Sequence, residues 1–572
     1  MLLFFGLLFL KGFSQDVSLE LQKAPKLSEA QRAQMWKNVP KDVNVQFASS
    51  GTRYARELPP RETKTDTWEV SGWKNEKVHT QIIAYSKKDL KAINVVAGNL
   101  KSSRGDVLKK EHISVGFVQY VMTDEFRDGC GHRKPVDFDS SMVADIINTD
   151  LKVVDIQKNT TQPVWLTIHI PETLPAGKYY GTITVNAGIA YPLQVILTVV
   201  DRTLPAPKDW RFQLDYWQHP AAIARVHDDK LWSNAHFERM RKYYTMLANA
   251  GQKVITASIV DEPWGHQTYD DYPGLIQWTK KKDGTWSYDY SLFDQYIDFV
   301  MSCGIKNRIN CYSMVPWKIA FKYYDASLQK DAFFTGAIGS PEYNDFWRTM
   351  LIDFTRHLKK KGWFGITTIA MDERPMKAMQ SVISLLKTID PEWKISLAGE
   401  WHAEIEKDIY DYCVASKCTF PDAILKERKQ AGKTSTWYTC CTEKYPNMFT
   451  FSPPDESVWA GWYTAASRMD GYLRWAYNSW TRSPLTDSRF ITWPAGDTYQ
   501  VYPGPLSSVR FEKLIEGIQD FEKINALRKL YGEKNETIKL KELEAALQTF
   551  TIEKLSQQSA QQMVEKYKHL LN

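Results

Sequence analysis

Cysteine is scarce in this sequence, and its placement excludes several kinds of site. The 572 residues include seven cysteines at spacings that match no zinc or iron–sulfur pattern. No cysteine–histidine pattern indicates a thiol catalyst. Cys413 and Cys418 are close enough in sequence to pair in an oxidising compartment, whereas buried free thiols are expected for most of the others.

A strong excess of charge is also absent. The formal net charge is +6 over the whole chain, and there is no compact basic motif. Proteins that bind nucleic acid usually concentrate basic residues in a patch or motif. We therefore expect no nucleic-acid partner.

After the first ten residues, no apolar run is long enough to span a membrane. The ten residues MLLFFGLLFL are themselves too short, and small residues follow at Gly12 and Ser14. This pattern predicts a secretory signal peptide over residues 1–14 with a missing or truncated basic region, and a buried N-terminal strand is the alternative. We expect an exported, soluble protein, either periplasmic or extracellular.

Aromatic residues, in contrast, are abundant. The chain has 21 tryptophans and 29 tyrosines. Aromatic rings fill protein cores, and their faces also stack on sugar rings. This composition fits a carbohydrate-binding protein, and the length favours two or three domains.

The first part of the chain reads as short strands. Residues 78–85, 164–170 and 177–185 alternate apolar and polar side chains, and turns rich in Pro, Gly and Asp separate such stretches. This pattern predicts a β-sandwich, which we assign to residues 15–203.

After a proline-containing linker, apolar strands alternate with amphipathic stretches of ten or more residues. Eight such units over about 300 residues predict a (β/α)8 barrel at residues 208–508, followed by helices at 509–572 that pack on its flank. The predicted strands are Phe212–Leu214, Val254–Val260, Arg308–Met314, Ile366–Met371, Ile395–Ala398, Cys413–Ala415, Ser435–Thr439 and Gly471–Ala476. The fold class is thus multidomain α/β plus β.

Catalytic residues of such barrels gather at the C-terminal ends of the strands. The fourth strand ends in the adjacent acids Asp372 and Glu373, followed by Arg374 and Pro375. The other strand ends offer further polar and aromatic side chains, namely Asp215, Trp217 and His219, Asp261 and Glu262, Glu400, Tyr438, and Asn478 and Trp480. Together these groups suit a polyhydroxylated ring.

The seventh strand end lacks the acid that a retaining glycosidase commonly places there. Residues 435–440 are Ser-Thr-Trp-Tyr-Thr-Cys. A retaining enzyme with its own nucleophile needs a second carboxylate about 5 to 5.5 Å from the general acid. A substrate-assisted reaction needs no such carboxylate, because the 2-acetamido oxygen of the sugar attacks the anomeric carbon of the same sugar. Asp372 and Glu373 supply the required acid and orienting group if the strand end departs from regular pleating.

The sequence resembles glycoside hydrolase family 123, the β-N-acetylgalactosaminidases. The resemblance rests on residues 369–375, 214–220 and 474–480, on residues 490–504 with Gly496-Asp497 and Tyr502-Pro503-Gly504, and on the domain order. It implies that Glu373 is the general acid and base, that Asp372 orients the acetamido group, and that no metal or cofactor is needed. The expected substrate is a glycan or glycosphingolipid-type oligosaccharide with a terminal β-linked N-acetylgalactosamine.

The remaining predicted site residues have binding roles. Tyr438 is expected to donate to the acetamido oxygen, Trp475 and Trp480 to form the pocket walls, and Trp217 to bind the substrate. Asp215, His219, Asn478 and Asp497 are expected to bind sugar hydroxyls. Each of these residues also has a structural reading as a core, cap or turn residue.

Three alternatives remain at this stage. Asp261 and Glu262 form a rival acid pair, because they also follow an apolar strand and precede a proline, or they line an outer subsite. Glu400 is a candidate nucleophile of a conventional glycosidase acting on another sugar. The chain is alternatively a carbohydrate-binding protein without activity on the same scaffold.

Overall fold

The computed structural model describes residues 27–61, 65–127, 129–131 and 140–572. The signal peptide predicted over residues 1–14 lies outside these ranges. No helix in the described part of the chain is long and apolar enough to cross a membrane.

Two β-sheets pack face to face in the N-terminal part. Their strands are β1 (Val43–Ala48), β2 (Thr67–Lys74), β3 (Lys77–Ser86), β4 (Leu90–Ala97), β5 (Leu100–Ser102), β6 (Val107–Leu108), β7 (Ile113–Thr123), β8 (Ser141–Asn148), β9 (Val154–Ile156), β10 (Thr160–His169), β11 (Gly177–Ala187) and β12 (Ile189–Thr203). The order is β1-β3-β10-β7-β8 in one sheet and β2-β12-β11-β4-β9 in the other, with β5 and β6 beside β11. Apolar side chains at alternate positions, such as Leu193, Val195 and Leu197, are buried between the sheets.

Eight parallel strands form a nearly closed barrel in the second part. They are β13 (Gln213–Tyr216), β14 (Val254–Ser258), β17 (Arg308–Tyr312), β20 (Thr367–Asp372), β21 (Lys394–Gly399), β22 (Asp411–Ala415), β23 (Thr434–Tyr438) and β24 (Gly471–Arg474). Hydrogen-bonded neighbours follow the order of the chain, and β24 pairs with β13. The remaining gap between β13 and β14 is bridged at Leu214 and Gln252. All eight strands predicted from the sequence overlap these strands.

The helices of the described residues surround the barrel, except for α1 at the N-terminal end. They are α1 (Glu29–Lys37), α2 (Pro220–His227), α3 (Asn234–Ala248), α4 (Ser291–Ser302), α5 (Pro341–Lys361), α6 (Met376–Ile389), α7 (Asp422–Gln430), α8 (Asp455–Ala466), α9 (Val509–Glu533), α10 (Thr537–Leu547), α11 (Ile552–Leu555) and α12 (Ala560–Tyr567). One expected unit differs, because the connection from β21 to β22 contains a short 3₁₀ turn, Glu406–Asp408, in place of an α-helix. Only 11 residues separate Gly399 from Asp411, which leaves little room for a helix.

A small additional sheet was not predicted from the sequence. Two hairpins form it, β15 (Gln277–Lys280) with β16 (Trp286–Asp289), and β18 (Phe321–Asp325) with β19 (Lys330–Phe334). The first hairpin follows β14 and the second follows β17, and β15 pairs with β18. The sheet therefore ties together the loops after the second and third barrel strands.

The C-terminal helices are integrated into both larger parts of the molecule. At the contact between α8 and α9, a Cβ added to Gly461 would lie 1.9 Å from the carbonyl oxygen of Gly517, so the two helices touch backbone to backbone. Ser507–Ser508 forms β25, which pairs with β8 of the sandwich. The boundaries drawn at residues 203 and 508 stay predictions.

Buried ion pairs join α9 to the sandwich. Arg510 lies 2.9 Å from Asp145, and Lys523 lies 2.6 Å from Glu76, with all four side chains almost fully buried. Removal of one partner of such a pair strongly destabilises the fold, because the other charge is left buried without compensation. Two buried ion pairs thus fix α9 to the sandwich.

Candidate active site

The backbone departs from a regular strand at the end of β20. Residues Thr367–Met371 are buried, Asp372 is half-buried and Glu373 is exposed. Glu373 has φ of +46°, and its N–H donates to the carbonyl oxygen of Ala398 at 2.7 Å. In a regular strand two neighbouring side chains point to opposite faces, and a left-handed residue breaks this alternation. The departure from pleating that the sequence argument required is therefore present at Glu373.

Asp372 is held by an indole from the third barrel loop. Trp317 Nε1 donates to Asp372 Oδ2 at 3.1 Å. Removal of the carboxyl group from water, and then the charge of Glu373, raise the pKa of Asp372 to about 7, and the indole N–H groups of Trp317 and Trp264 act in the opposite direction. This carboxyl group can therefore hold a proton near neutral pH.

Arg374 supports the same arrangement. Its guanidinium lies 4.1 Å from the ring centre of Trp317, and its Nε donates to the carbonyl oxygen of Asp372 at 2.5 Å. Trp317 keeps 44% of its surface exposed, so this stacked pair forms a solvent-facing wall beside Asp372. Trp317 was not predicted, because Pro316-Trp317 follows β17 in a stretch without an acid or a histidine that would mark a site.

Glu373 is contacted from the seventh strand. The hydroxyl of the buried Tyr438 donates to Glu373 Oε1 at 2.6 Å. Burial, and then the charge of Glu373, raise the pKa of Tyr438, so the tyrosine stays protonated and acts as a donor. The seventh strand end, which has no acid, thus carries a hydrogen-bond donor to Glu373.

An aromatic cluster lies next to these residues. The rings of Trp217 and Trp264 are 4.9 Å apart, and Tyr312 lies 4.9 Å from each of them. Tyr438 belongs to the same cluster, and Trp475 packs against it while half-buried. These rings form an apolar base for the acid pair.

Asp497 positions Trp475 rather than lining an open groove. It forms a fully buried ion pair of 2.6 Å with Arg474 and accepts from Trp475 Nε1 at 3.2 Å. The fixed charge of Arg474 keeps the acceptor in place. Trp475 is therefore the member of this group that reaches towards the aromatic cluster.

Four other predicted site residues are buried in internal contacts. The backbone N–H of His219 donates to Asn478 Oδ1, and Asn478 Nδ2 donates to the carbonyl oxygen of His219 at 2.8 Å. Burial lowers the pKa of His219 to about 3. Trp480 Nε1 donates to Val501 O at 2.7 Å. Asp215 lies inside the barrel, where burial and then Asp411 raise its pKa to about 7. All four side chains are almost fully buried, and none of them lines the cavity beside Glu373.

The rival acids at the second strand end are used by their own loop. Asp261 accepts from the N–H of Gly274 at 2.5 Å, and Glu262 accepts from the N–H groups of His266 and Tyr272. Glu262 also has a positive φ, of +49°. Both carboxylates therefore hold a turn closed.

Within the described ranges, the same loop contains a group of side chains that are close enough together to hold a metal ion. One ligand atom from each of Glu262, His266 and Asp271 lies within 4.8 Å of the others. Glu262 is already bonded to the backbone, and His266 Nδ1 lies 2.9 Å from Asp271 Oδ1. Because these groups satisfy one another, we assign no metal to them.

Glu400 faces the same cavity as Glu373. This cavity of about 450 Å³ is lined by Glu373, Arg374, Glu400, His402, Lys417 and Tyr438, among others. Glu400 is exposed and forms an ion pair of 3.1 Å with Lys417. It therefore remains a candidate for contact with a substrate.

A disulfide lies close to the seventh strand end. Cys130, after β7 of the sandwich, is bonded to Cys441, three residues after Tyr438. Cys413 and Cys418, which the sequence offered as a possible pair, are both free. Short sequence separation was a poor guide, because the actual partners are 311 residues apart.

Comparison with known proteins identifies the two main parts of the chain. The Glycoside hydrolase 123 catalytic domain matches residues 217–527, and the Glycoside hydrolase 123 N-terminal domain matches residues 47–187. A search of curated proteins found no match.

Among solved structures, a family 123 glycoside hydrolase from Clostridium perfringens, studied for glycolipid glycan hydrolysis, has a TM-score of 0.83 at 26% identity. The match covers 92% of this chain and 98% of that one. A family 39 glycoside hydrolase from Bacteroides cellulosilyticus has a TM-score of 0.34 at 9% identity, covering 83% of this chain and 82% of that one.

Proposed function

This chain belongs to glycoside hydrolase family 123, and from that premise we propose that it removes terminal β-linked N-acetylgalactosamine from glycans with retention of configuration. The observation that carries the proposal is the pair Asp372–Glu373 with separate side-chain partners, together with Tyr438 in place of an acid at the seventh strand end. Such a site has a proton donor and an orienting group, and it leaves the nucleophile to the substrate.

The proposed reaction has two steps. Glu373 protonates the glycosidic oxygen while the acetamido oxygen attacks the anomeric carbon, and Asp372 accepts a hydrogen bond from the acetamido N–H as positive charge develops. Glu373 then takes a proton from water, which opens the oxazolinium intermediate from the same face. Tyr438 donates to the acetamido oxygen and orients it for attack. The half-buried Trp475 supplies an aromatic contact to the sugar, and the buried Trp217 supports it within the aromatic cluster.

Glycolipids are the substrate class that the Clostridium perfringens relative suggests for this chain. We further propose that the enzyme is exported, as its N-terminal sequence predicts. A bond between Cys130 and Cys441 supports this proposal, because disulfides persist mainly in oxidising compartments.

Aryl glycosides provide the direct test. We expect hydrolysis of p-nitrophenyl β-N-acetylgalactosaminide, slower hydrolysis of its gluco epimer, and none of the β-galactoside, which has no acetamido group. A thiazoline analogue of the intermediate should inhibit. Equal hydrolysis of the β-galactoside, or no inhibition by the thiazoline, would contradict the proposal.

A second function has a specific observation in its favour. Glu400 lines the same cavity as Glu373, so a conventional mechanism with Glu400 as nucleophile is the alternative. It predicts a covalent glycosyl-enzyme and no sensitivity to the thiazoline. A chain that binds sugars without hydrolysing any aryl glycoside would instead be a binding protein.

A further inference from the structure

The cavity beside Glu373 extends towards the fifth and sixth strand ends. Glu400, which follows β21, and Lys417, which follows β22, line it together with Glu373. The fifth strand end lies against Glu373, since a Cβ added to Gly399 would be 3.5 Å from Glu373 Cα. The volume of about 450 Å³ is in the range of sites for small ligands. A ligand therefore has space directly next to the proposed general acid.

The position of this cavity indicates which part of a glycan it holds. Asp372 bonds to Trp317, which follows the third strand, on one side of the acid pair. Glu373 lies on the other side, where its N–H donates to the carbonyl oxygen of Ala398 on the fifth strand. In the proposed reaction the acetamido group is at Asp372 and the glycosidic oxygen is at Glu373. The sugar beyond that oxygen, which is the leaving group, therefore extends into the cavity.

Glu400 and Lys417 form an exposed ion pair at this cavity. Lys417 Nζ lies 3.1 Å from Glu400 Oε1, and each side chain keeps 61% of its surface exposed. The hydrogen bond to Glu400 raises the pKa of Lys417, so the lysine stays charged. Ion pairs this exposed contribute little to stability. Folding alone is therefore a weak explanation for the pair.

The backbone that carries Glu400 is held in place from below. The hydroxyl of the buried Tyr412 donates to the carbonyl oxygen of Glu400 at 2.7 Å and accepts from the N–H of His402 at 2.8 Å. The carboxylate of Glu400 projects from this fixed segment into the cavity that Glu373 also lines. A fixed backbone with an exposed side chain is a suitable arrangement for contacting a ligand.

A carboxylate beside an ammonium group suits the neighbouring hydroxyls of a sugar, because the first accepts a hydrogen bond and the second donates one. An acidic substituent is less suited to this position. It meets the carboxylate of Glu400, and both cations that line the cavity already have partners. Lys417 is paired with Glu400, and Arg374 is stacked on Trp317. Like charges that meet at a binding site are strongly disfavoured.

We propose that the Glu400–Lys417 pair binds the sugar that leaves and selects a neutral hexose over one that carries an acidic group. This inference rests on the proposed function, because it takes Glu373 as the group next to the glycosidic oxygen. Glu400 contributes binding and specificity, and it forms no bond to the anomeric carbon. The substrate class is thereby narrowed to glycans in which the terminal sugar is linked to a neutral hexose.

Glu400→Ala tests the binding role when two substrates are compared. One is the disaccharide of N-acetylgalactosamine β-linked to galactose, and the other is p-nitrophenyl β-N-acetylgalactosaminide, whose leaving group has no sugar hydroxyls. We expect the ratio of kcat/KM for the disaccharide to kcat/KM for the aryl glycoside to fall about ten- to a hundredfold, because a hydrogen bond to a charged group is lost. The change should be mainly a higher KM for the disaccharide, since the contact exists before and during the reaction.

Glu400→Gln tests the charge preference. The substrates are the same disaccharide with and without a sulfate group on the galactose 6-hydroxyl. The substitution removes the carboxylate and leaves the ammonium group of Lys417 without its partner, so the ratio of kcat/KM for the sulfated to the neutral disaccharide should rise about tenfold. The rise should become smaller at high salt, because exposed charges are screened. Lys417→Met should lower the same ratio.

The matched control is another exposed Glu–Lys pair. Lys529 and Glu533 on α9 lie 3.9 Å apart, and their side chains keep 73% and 64% of their surface exposed. Glu533→Ala and Glu533→Gln should leave both ratios unchanged. Thermal unfolding of all variants checks that they are folded, which the exposure of both pairs favours.

The outcomes separate this inference from the proposed function. If Glu400→Ala lowers kcat on both substrates to the same extent, Glu400 acts in the reaction itself and the inference is wrong. It is also wrong if the ratio of disaccharide to aryl glycoside stays constant, or if the ratio of sulfated to neutral disaccharide does not rise in Glu400→Gln. Failure of the thiazoline to inhibit the unmodified enzyme would instead overturn the proposed function.

Discussion

Two Asp–Glu pairs end two strands of the same barrel, and their local sequences are alike. Asp261–Glu262 and Asp372–Glu373 both follow an apolar strand and precede a proline, and the glutamate of each has a positive φ. The first pair accepts from N–H groups of its own loop, at Gly274, His266 and Tyr272. The second accepts from side chains of other strands and loops, Trp317 and Tyr438.

This difference shows what makes a carboxylate available for chemistry. Backbone donors within a turn cannot leave without opening the turn, so Glu262 is fixed as an acceptor. A tyrosine hydroxyl or an indole can change partner when a ligand arrives. Both pairs stand at a strand end, so we propose that the origin of their hydrogen-bond donors distinguishes the catalytic pair from the other.

The largest effect is expected for Glu373→Gln, which removes the proposed general acid. We predict that kcat/KM falls by about 10²- to 10⁴-fold on glycans with poor leaving groups, and less on aryl substrates, whose leaving groups need little protonation. The measurement is steady-state kinetics on both substrate types. A variant with full activity on the glycans would contradict the assignment.

The same substitution in the other pair, Glu262→Gln, is the matched control. We predict a change in kcat/KM within about fivefold, but a loss of stability of about 1–3 kcal/mol, because the amide group turns a donor towards one of the two backbone N–H groups. Thermal unfolding followed beside the kinetics separates the two effects. A loss of activity as large as that of Glu373→Gln, without unfolding, would make the second strand end the catalytic one.

The smallest effect concerns stability at Asp372. Its pKa of about 7 lies above the unfolded value of about 3.9, so the folded protein binds a proton more tightly and loses stability as pH rises between about 4 and 7. Asp372→Asn removes this loss. We predict a Tm about 1–2 °C above that of the unmodified protein at pH 8 and no gain at pH 4, although turnover is lost. An equal difference in Tm at both pH values would show that the carboxyl group is not destabilised by burial.

Much of the fold could be predicted from the sequence, for identifiable reasons. Barrel strands such as Val254–Ser258 and Thr367–Asp372 are short apolar runs between amphipathic stretches, which makes them visible one at a time. The hairpins β15–β16 and β18–β19 were missed because they are short, polar and only partly buried, and because each becomes a sheet only through the other. The disulfide between Cys130 and Cys441 was missed because no local pattern joins residues 311 apart.

The sequence by itself determined which chemical groups this barrel presents: adjacent acids at residues 372 and 373, and a tyrosine, without an acid, at the seventh strand end. Tertiary structure alone decided which donors each acid pair meets, and it placed Trp317 on Asp372 and Tyr438 on Glu373. The physical reason is that the protonation and availability of a carboxyl group depend on donors and on burial, and both come from residues distant in the chain.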